Sequence, residues 1–308
     1  MVLIDLRSVL KKVISNSIAA SSLLVLSLSP VVYAGSPYVW YTFNIPPFGS
    51  PEKVGIGYDL AHAYIEAGFN NKIVLANAAR WQRDMQDPEN DRFCSSGSWK
   101  LPDTDHRVYS DSIMNTVDYG VAARPEVYQL LSNNGATRIA SIRDVIRDSH
   151  DLRRLLIING RPVFGLMGDL IKTTKTGDIR YMTAAQGPVS LLRMANTPGR
   201  KVGSVLVFPE EFQNFTRLFP DHDLEYMMLS EGVNFAPIRA SCPDTPEGRK
   251  IIAAINQLLD DGLRDKTFQS FLNVLPDFKE IREQAYANQR CIQDDTCQDP
   301  LTNLINRE

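Results

Sequence analysis

The sequence predicts an α/β protein with a parallel or mixed sheet in each half of the chain. Two observations carry this prediction: strand-like and helix-like segments alternate near the start of the chain, and the alternation returns over residues 126–228. A chain of 308 residues is longer than one core comfortably serves, so we expect one large or two medium domains. With 44% hydrophobic residues, the chain has ample apolar material to build them.

In the first half, an aromatic residue stands in a loop between the first predicted strand and the first predicted helix. Alternating bulky residues predict the strand over residues 37–43, and YDLAHAYIEAGF then places apolar residues at helical spacing. The loop between them reads IPPFGSPE, so Phe48 directly follows two prolines. KIVLANA predicts a second strand. The long polar stretch over residues 80–107, which contains Trp81 and Trp99, is of the kind that carries binding groups.

In the second half, residues 117–125 predict a strand that leads into the second α/β unit. The segment RPVFGLMGDLIKTT predicts a strand, a glycine-containing turn and a helix start, in which Gly165 and Gly168 let the backbone approach a neighbour closely. A later helix starts near Thr245 and has one apolar face. We interpret the polar tail, residues 279–308, as an appendage that packs on the surface.

The N-terminal residues have the layout of a secretory signal peptide. Positive charges at Arg7, Lys11 and Lys12 precede the apolar run IAASSLLVLSLSPVVYA, which ends in small residues at Ala34. We expect cleavage after Ala34 and a periplasmic mature protein. The alternative is an uncleaved membrane anchor, although Ser and Pro interrupt a run that is short of the roughly 20 apolar residues a span needs.

The charge pattern excludes a nucleic-acid partner. The formal net charge is −3, and 33 Lys and Arg residues and 36 Asp and Glu residues are spread along the chain. This pattern has no basic patch that would bind a polyanion.

Four cysteines in an exported chain indicate two disulfides, because an even count in an oxidising compartment is typical of a disulfide framework. Three connectivities are possible. Only the five residues IQDDT separate Cys291 from Cys297, so this pairing is the simplest. Cys94 is then left to pair with Cys242. The spacing of the four cysteines does not match that of a zinc site.

Four segments, in this order, resemble the family 3 bacterial extracellular solute-binding proteins, which have the type II periplasmic-binding-protein fold. The segments are IPPF with GIGYDLAHAYIEAG, then TDHRVYSDSI, then PGRKVGSVLVFPEE, and finally IRASCPDTPEGRKIIAAINQLLDDGL. The resemblance covers residues 38–275. It implies two lobes, each a mixed sheet flanked by helices, joined by two hinge crossings near residues 117–124 and 228–235.

The resemblance also implies the domain boundaries. After a signal peptide of residues 1–34, lobe 1 would combine residues 36–120 with 230–275, and lobe 2 would comprise residues 121–229. Residues 276–308 would form a C-terminal extension with its own disulfide. This division puts Cys94 and Cys242 in one lobe, which agrees with their pairing.

The resemblance implies a ligand site in the cleft between the lobes. The loop after the first strand would project into that cleft and hold Phe48 against the ligand; a core position under a surface loop is the alternative. Arg107, with Thr104 before it, matches a threonine and an arginine of the family, and a guanidinium suits bidentate capture of a carboxylate. Arg80 is the alternative anchor. The expected ligand-binding residues are Phe48, Arg80, Trp81, Trp99, Thr104, Arg107, Gly168 and Asp169.

The sequence departs from the family pattern at two places. Only two residues separate Arg107 from Ser110, fewer than is usual in amino-acid-binding members. In the family an Asp at the position after GRKVGS often binds the ligand's ammonium group, and this sequence has no Asp there. Glu210 is a possible substitute, but a carboxylate at a helix start is the plainer interpretation. The amino-acid clamp of the family is therefore incomplete.

We expect an exported solute-binding protein that captures a small polar, carboxylate-bearing, amino-acid-like ligand. It would act as a monomer, for an ABC-type transporter with an inner-membrane permease or for a sensor. We expect no cofactor, no metal and no catalysis, because the four histidines are scattered and form neither a triad nor a metal-ligand spacing. The alternative is a periplasmic enzyme of the same fold, of cyclohexadienyl-dehydratase type, with an acid or base such as His106 in the cleft.

Overall fold

The computed structural model describes most of the chain between Tyr38 and Gln293. The predicted signal peptide lies outside the described residues, and so does Cys297, so the Cys291–Cys297 bridge stays a prediction. In the part of the chain that is described, no helix is long and apolar enough to cross a membrane. The described residues are 38–69, 72–101, 103–132, 138–147, 154–161, 163, 165–174, 178–183, 187–231 and 236–293.

The secondary structure alternates as the sequence predicts, with two corrections. The polar stretch over residues 80–107 contains a helix and a strand, and the strand that precedes the helix Gly165–Thr173 is Arg154–Ile158, so Arg161 and Val163 of RPVF follow a strand and do not form one. The strands are β1 (Val39–Phe43), β2 (Ile73–Ala76), β3 (Phe93–Ser98), β4 (Arg107–Tyr109), β5 (Met114–Thr116), β6 (Gly120–Ala123), β7 (Ile139–Ala140), β8 (Arg154–Ile158), β9 (Ile179–Met182), β10 (Val202–Val207), β11 (Glu225–Leu229) and β12 (Ala236–Pro243). The helices are α1 (Ile56–Glu66), α2 (Ala78–Gln86), α3 (Pro125–Leu131), α4 (Ile142–Arg147), α5 (Gly165–Thr173), α6 (Pro188–Asn196), α7 (Pro209–Leu218), α8 (Pro246–Leu258), α9 (Arg264–Leu272) and α10 (Lys279–Gln293). A π-helical turn, Leu259–Leu263, joins α8 to α9.

Two mixed sheets, each flanked by helices, organise these elements, which confirms the predicted fold class. The lobe 1 sheet has the order β2-β1-β3-β12-β4, with β5 also paired to β12. Its strand β1 is parallel to β2 and β3, whereas β12 is antiparallel to its partners. The lobe 2 sheet has the order β7-β11-β6-β10-β8-β9, in which only β6 runs antiparallel to its neighbours.

The chain passes between the sheets twice, first between Thr116 and Gly120 and again between Leu229 and Ala236. These crossings fix which end of each sheet faces the other lobe. Gly120, the first residue of β6, pairs with Val207 and Met228 near the carboxyl ends of β10 and β11. In lobe 1, β12 starts next to the carboxyl end of β3. We call these ends of the two sheets their cleft edges.

The opposite end of the lobe 1 sheet, its outer edge, carries a disulfide. Strand β3 begins there at Phe93, and β12 ends there at Pro243. The neighbouring Cys94 and Cys242 are bonded, with their Cα atoms 4.3 Å apart. This confirms the predicted pairing and ties two strands whose cysteines are 148 residues apart in sequence.

Helix α8 shows how local sequence sets an element. The Thr245 hydroxyl accepts a hydrogen bond from the Gly248 N–H at 3.0 Å, and Pro246 occupies the first helical position. The isoleucines at 251, 252 and 255 are buried against the sheet. The sequence thus located both the start of this helix and its apolar face.

The C-terminal helix α10 packs on β5 next to the first crossing. The Asn115 side-chain amide donates to the Asn288 carbonyl at 3.0 Å, and the Asn288 amide donates to the Thr116 carbonyl at 3.3 Å. Before this helix, the Phe278 ring lies 4.6 Å from the Arg138 guanidinium of lobe 2. We expected the polar tail to be a surface appendage, but its described part is packed against lobe 1, and Phe278 just before it contacts lobe 2.

Candidate ligand-binding site between the lobes

The two lobes touch along their cleft edges. A Cβ atom added to Gly160, directly after β8, would lie 3.1 Å from both the Cα and the Cβ of Ala79 in the first turn of α2. Gly160 has a φ of +75°, which a glycine adopts readily. A Cβ on Gly187, just before α6, would lie 4.0 Å from Cγ1 of Ile45, which follows β1. The loops that leave the carboxyl ends of both sheets therefore meet.

An aromatic stack crosses this contact. The Trp99 ring of lobe 1 stacks on the Phe208 ring of lobe 2, with 5.5 Å between ring centroids. Tyr119, which lies on the crossing, also stacks on Phe208, with 3.9 Å between ring centroids. Because one ring of this stack belongs to lobe 1 and one to the crossing, the stack joins the lobes and the hinge.

A buried arginine and glutamate form the charged part of the cleft edge of lobe 2. Nη1 of Arg161 donates to Oε2 of Glu211 at 2.7 Å, and Nη2 donates to Oε1 at 2.5 Å. The side chains are only 3% and 1% exposed. Burial works against the cation, but the attraction of the Glu211 carboxylate raises the pKa of Arg161 above its ordinary value. Two bonds to one carboxylate make a geometrically defined pair.

Glu211 is itself held by the start of α7. Its Oε2 accepts the backbone N–H of Phe208 at 3.0 Å, and Pro209 stands at the first helical position. The carboxylate is thus fixed before any ligand arrives, and it fixes Arg161 in turn. The Arg161 guanidinium lies 5.6 Å from the Phe208 ring and 5.9 Å from the Tyr119 ring.

Glu210, next to Glu211, is a second buried carboxyl group in the first turn of α7. Its side chain is fully buried, and neither oxygen has a hydrogen-bond partner among the described residues. Burial, followed by repulsion from Glu211, raises the pKa of Glu210 well above its ordinary value. Such a carboxyl group has unused capacity to accept a hydrogen bond from a donor.

The cleft edge of lobe 1 is apolar. It contains a small, partly open apolar pocket. We call this space the lobe 1 pocket. Gly57 of α1 and Gly97 of β3 complete its wall. Its apolar lining residues are Phe43, Phe48, Ile56, Leu60, Trp99, Met114 and Ile238. The structure thus brings two of the sequence-predicted residues, Phe48 and Trp99, to one pocket.

Trp81 and Arg80 lie on α2 and away from this pocket. The Trp81 ring is buried 4.8 Å from the Phe43 ring, and its indole N–H donates to the Ser95 hydroxyl at 3.3 Å. Nη2 of Arg80 donates to the Tyr41 hydroxyl at 2.9 Å, and its Nε faces Asp84. Trp81 is therefore a core residue, and the contacts of Arg80 lie along its own helix and on β1.

Arg107 lies at the outer edge of lobe 1, at the far end of the sheet from Trp99. It pairs in register with Pro243, its Nη2 donates to the Phe93 carbonyl at 2.9 Å, and its guanidinium lies 4.4 Å from the Phe93 ring. Burial lowers the pKa of Arg107 to about 10. These contacts are all within lobe 1, and Arg107 does not lie at the cleft.

Two neighbours of Arg107 in sequence also make structural contacts. The Thr104 hydroxyl donates to the Leu101 carbonyl at 2.6 Å and accepts from the Tyr109 hydroxyl at 2.8 Å. A ring nitrogen of His106 is hydrogen-bonded to the Met85 carbonyl at 3.1 Å. Both side chains therefore tie a loop to the lobe.

Gly168 and Asp169 lie in the second turn of the short helix α5. A Cβ on Gly168 would stand 2.3 Å from the Val163 carbonyl oxygen, so the glycine permits a close approach of helix and loop. The Asp169 side chain is exposed. The expected close backbone approach exists, although what it meets is this chain's own loop.

Sequence reasoning missed Arg161, Glu211, Phe208 and Tyr119. The available signal was positional: Gly160 and Arg161 come two and three residues after the apolar run LLII, and Phe208 directly follows the apolar strand VGSVLV. Ligands of open α/β sheets bind at the carboxyl ends of strands. Residues that follow predicted strands were therefore candidates by position. Among the described residues, no group of three or more His, Cys, Asp or Glu side chains could hold a metal ion.

The fold is shared with solved solute-binding structures. No family model and no curated protein matches this chain. The GluR0 ligand-binding core in complex with L-glutamate is 15% identical, with a TM-score of 0.53 over 76% of this chain and 97% of that chain.

Two further structures show the same likeness. The amino acid ABC transporter substrate-binding protein AbpA from Streptococcus pneumoniae, bound to L-arginine, is 14% identical over 78% of this chain and 96% of that chain, with a TM-score of 0.52. The arginine-, lysine-, histidine-binding protein ArtJ from Geobacillus stearothermophilus is 14% identical over 80% of this chain and 99% of that chain, with a TM-score of 0.54. These likenesses show the fold, two α/β lobes of the periplasmic-binding-protein type.

Proposed function

We propose that this protein binds a small, carboxylate-bearing, amino-acid-like solute between its two lobes. The observation that carries the proposal is the buried Arg161–Glu211 pair at the cleft edge of lobe 2, beneath rings that span the lobes. Buried charges in a cleft with a few convergent polar groups are a common mark of a ligand site. No residue is assigned a catalytic role.

The donors of Arg161 suit a carboxylate. A guanidinium has five N–H groups, and among the bonds to described residues Glu211 takes one from each Nη, so up to three remain for a ligand. Because Glu211 already neutralises the charge of Arg161, the pair does not favour a ligand with a net negative charge. It suits a zwitterion, whose carboxylate would accept from Arg161 and whose ammonium would donate to Glu210.

Closure of the lobes would complete the site. Rotation about the two crossings would separate Trp99 from Phe208 and admit the solute, and closure would then exclude water from it. Exclusion of water strengthens the charge-assisted contacts, because they are then made at a lower effective dielectric constant. The proposal therefore requires that ligand binding and lobe closure occur together.

The first test is a binding screen of the chain that begins at Gly35. A thermal-shift panel of the standard amino acids, with amines, small carboxylates and sugars, identifies ligands because a molecule that binds only the folded state raises the melting temperature. Titration calorimetry then gives the affinity, and small-angle scattering measures compaction. If no amino acid binds, or if binding produces no compaction, the proposal is wrong.

A matched pair of variants locates the anchor. In Arg161→Met with Glu211→Leu both charges are removed together, so neither is left buried alone; we expect it to fold and to lose at least about a hundredfold in affinity, as for a buried charge-assisted contact. Arg107→Met is the control, because this arginine is also buried but lies at the outer edge. If both variants bind the ligand as tightly as the wild type, Arg161 does not contact the ligand.

We further propose that the protein acts in the periplasm after cleavage of its signal peptide, as a monomer that serves an ABC-type transporter or a sensor. The layout of residues 1–34 supports export, and the Cys94–Cys242 disulfide is of the kind found in oxidising compartments. Mass spectrometry of the periplasmic fraction should find a chain that starts at Gly35. An intact chain in the cytosol would contradict this part of the proposal.

A further inference from the structure

We infer that the ligand carries an uncharged, apolar side chain, which occupies the lobe 1 pocket while its polar end faces lobe 2. This inference rests on the proposed function, since it describes the ligand of the same cleft. It narrows an amino-acid-like solute to an amino acid with a hydrophobic side chain.

The lining of the pocket carries the argument. Helix α1 contributes Ile56 and Leu60, and the strands β5 and β12 contribute Met114 and Ile238. None of the described residues that line the pocket is ionisable. A charged group placed there would lose its water without gaining a partner, and burial of an unpaired charge is strongly unfavourable. Moving an apolar group from water into the pocket is favourable.

The size of the pocket is set in part by a glycine. A Cβ atom at Gly97 would lie 3.2 Å from Cγ2 of Ile238 and 3.2 Å from Cδ1 of Leu60. The missing methyl group therefore leaves room between β3, β12 and α1. The pocket is narrow while Trp99 stacks on Phe208, so an apolar side chain would enter it as these two rings separate.

The pocket is continuous with the charged half of the site through Trp99. This ring lines the pocket and stacks on Phe208, whose other neighbours include the Arg161 guanidinium. A ligand whose apolar side chain is inserted beside Trp99 would thus have its polar end toward Arg161 and Glu210. Closure would bury the apolar side chain under Phe208.

Two ligands that differ in one group test the inference. L-norleucine and L-lysine have the same carbon chain, and only lysine ends in an ammonium group. We expect titration calorimetry to show that norleucine binds at least about a hundredfold tighter than lysine, because the ammonium would be buried without a partner. Methionine against glutamate repeats the comparison with an anion.

The outcomes separate the two proposals. If lysine or glutamate binds as tightly as its apolar counterpart, the inference about the side chain is overturned while the amino-acid function stands. If no amino acid of any kind binds, the proposed function itself fails.

A variant of the pocket gives an independent reading. Met114→Phe adds volume to the wall, so we expect norleucine to lose about tenfold or more in affinity while alanine changes by less than about threefold. Met114→Leu, which nearly conserves volume, is the control and should keep both affinities. Thermal unfolding without ligand confirms that each variant folds. Unchanged norleucine affinity in a folded Met114→Phe protein would place the side chain outside this pocket.

Discussion

Two buried arginines of this protein have opposite surroundings. Arg107 lies at the outer edge of lobe 1, where its Nη2 donates to the Phe93 carbonyl, and the disulfide lies beside it. Arg161 lies at the cleft edge of lobe 2, where both Nη atoms donate to the Glu211 carboxylate. Burial lowers the pKa of Arg107 to about 10, whereas Glu211 outweighs burial and raises the pKa of Arg161.

The difference shows how the partner of a buried charge indicates its role. A carbonyl oxygen and an aromatic ring are neutral, so at the outer edge they orient the guanidinium without offsetting the cost of its burial. The Glu211 carboxylate offsets that cost and still leaves N–H groups for a ligand. We therefore expect changes at the outer edge to affect stability alone, and changes at the cleft edge to affect binding.

The largest expected effect comes from Arg161→Met, which leaves Glu211 buried without its cation. We expect a loss of about 3 to 5 kcal/mol in the free energy of unfolding, measured by urea denaturation. Adding Glu211→Leu should restore most of that loss, apart from about 1 kcal/mol for the lost bond to the Phe208 N–H. A single variant as stable as the wild type would mean that the pair is not buried in solution.

The next effect concerns the outer edge. Cys94→Ala with Cys242→Ala should lower the free energy of unfolding by about 2 to 4 kcal/mol, because the bond closes a long loop in the unfolded chain. Ligand affinity should stay within about twofold of the wild type. Calorimetry and urea denaturation check the two statements separately. A large loss of affinity in a folded double variant would contradict the division between the edges.

Arg107→Met should have a smaller effect. The variant loses a hydrogen bond to the Phe93 carbonyl, which costs about 1 kcal/mol, and it also removes a buried charge, which partly offsets that loss. We expect the affinity to stay within about twofold of the wild type by calorimetry. If Arg107→Met abolishes binding while the protein stays folded, Arg107 is the anchor after all.

The last expected effect on stability comes from Glu210→Gln, and it depends on pH. The pKa of Glu210 is raised in the folded state, so its burial weakens folding increasingly as the pH rises above 4.5, its ordinary value. At pH 4 both side chains are neutral and buried, so the variant and the wild type should be about equally stable. At pH 8 the variant should be more stable than the wild type, because glutamine does not ionise.

The same variant should bind an amino acid more weakly, because the Glu210 carboxyl group can ionise beside a bound ammonium group, whereas an amide cannot. Thermal unfolding at the two pH values, together with calorimetry at pH 8, tests both effects. A variant that is less stable at pH 8 than at pH 4, relative to the wild type, would show that Glu210 has a partner when ionised.

Local sequence patterns alone predicted most of the strand and helix alternation and the start of α8 at Thr245. These follow from apolar periodicity and from a capping hydroxyl. The pairing of Cys94 with Cys242, which the structure confirms, followed from the even count of cysteines and from the closeness of Cys291 to Cys297. Phe48 was predicted for the site from its loop after the first strand, and Trp99 from the polar stretch over residues 80–107; both line the lobe 1 pocket.

Which arginine faces the other lobe depends on the packing of distant segments. Arg107 begins β4, and the pairing of β4 with β12 carries that position to the outer edge, a register that no local pattern specifies. Arg161 appears in the sequence as one polar residue in a loop. Its burial comes from Glu211, 50 residues later, and from rings contributed by the crossing and by α7. The charge of a residue is local, whereas its partner and its burial are set by the packing of distant segments.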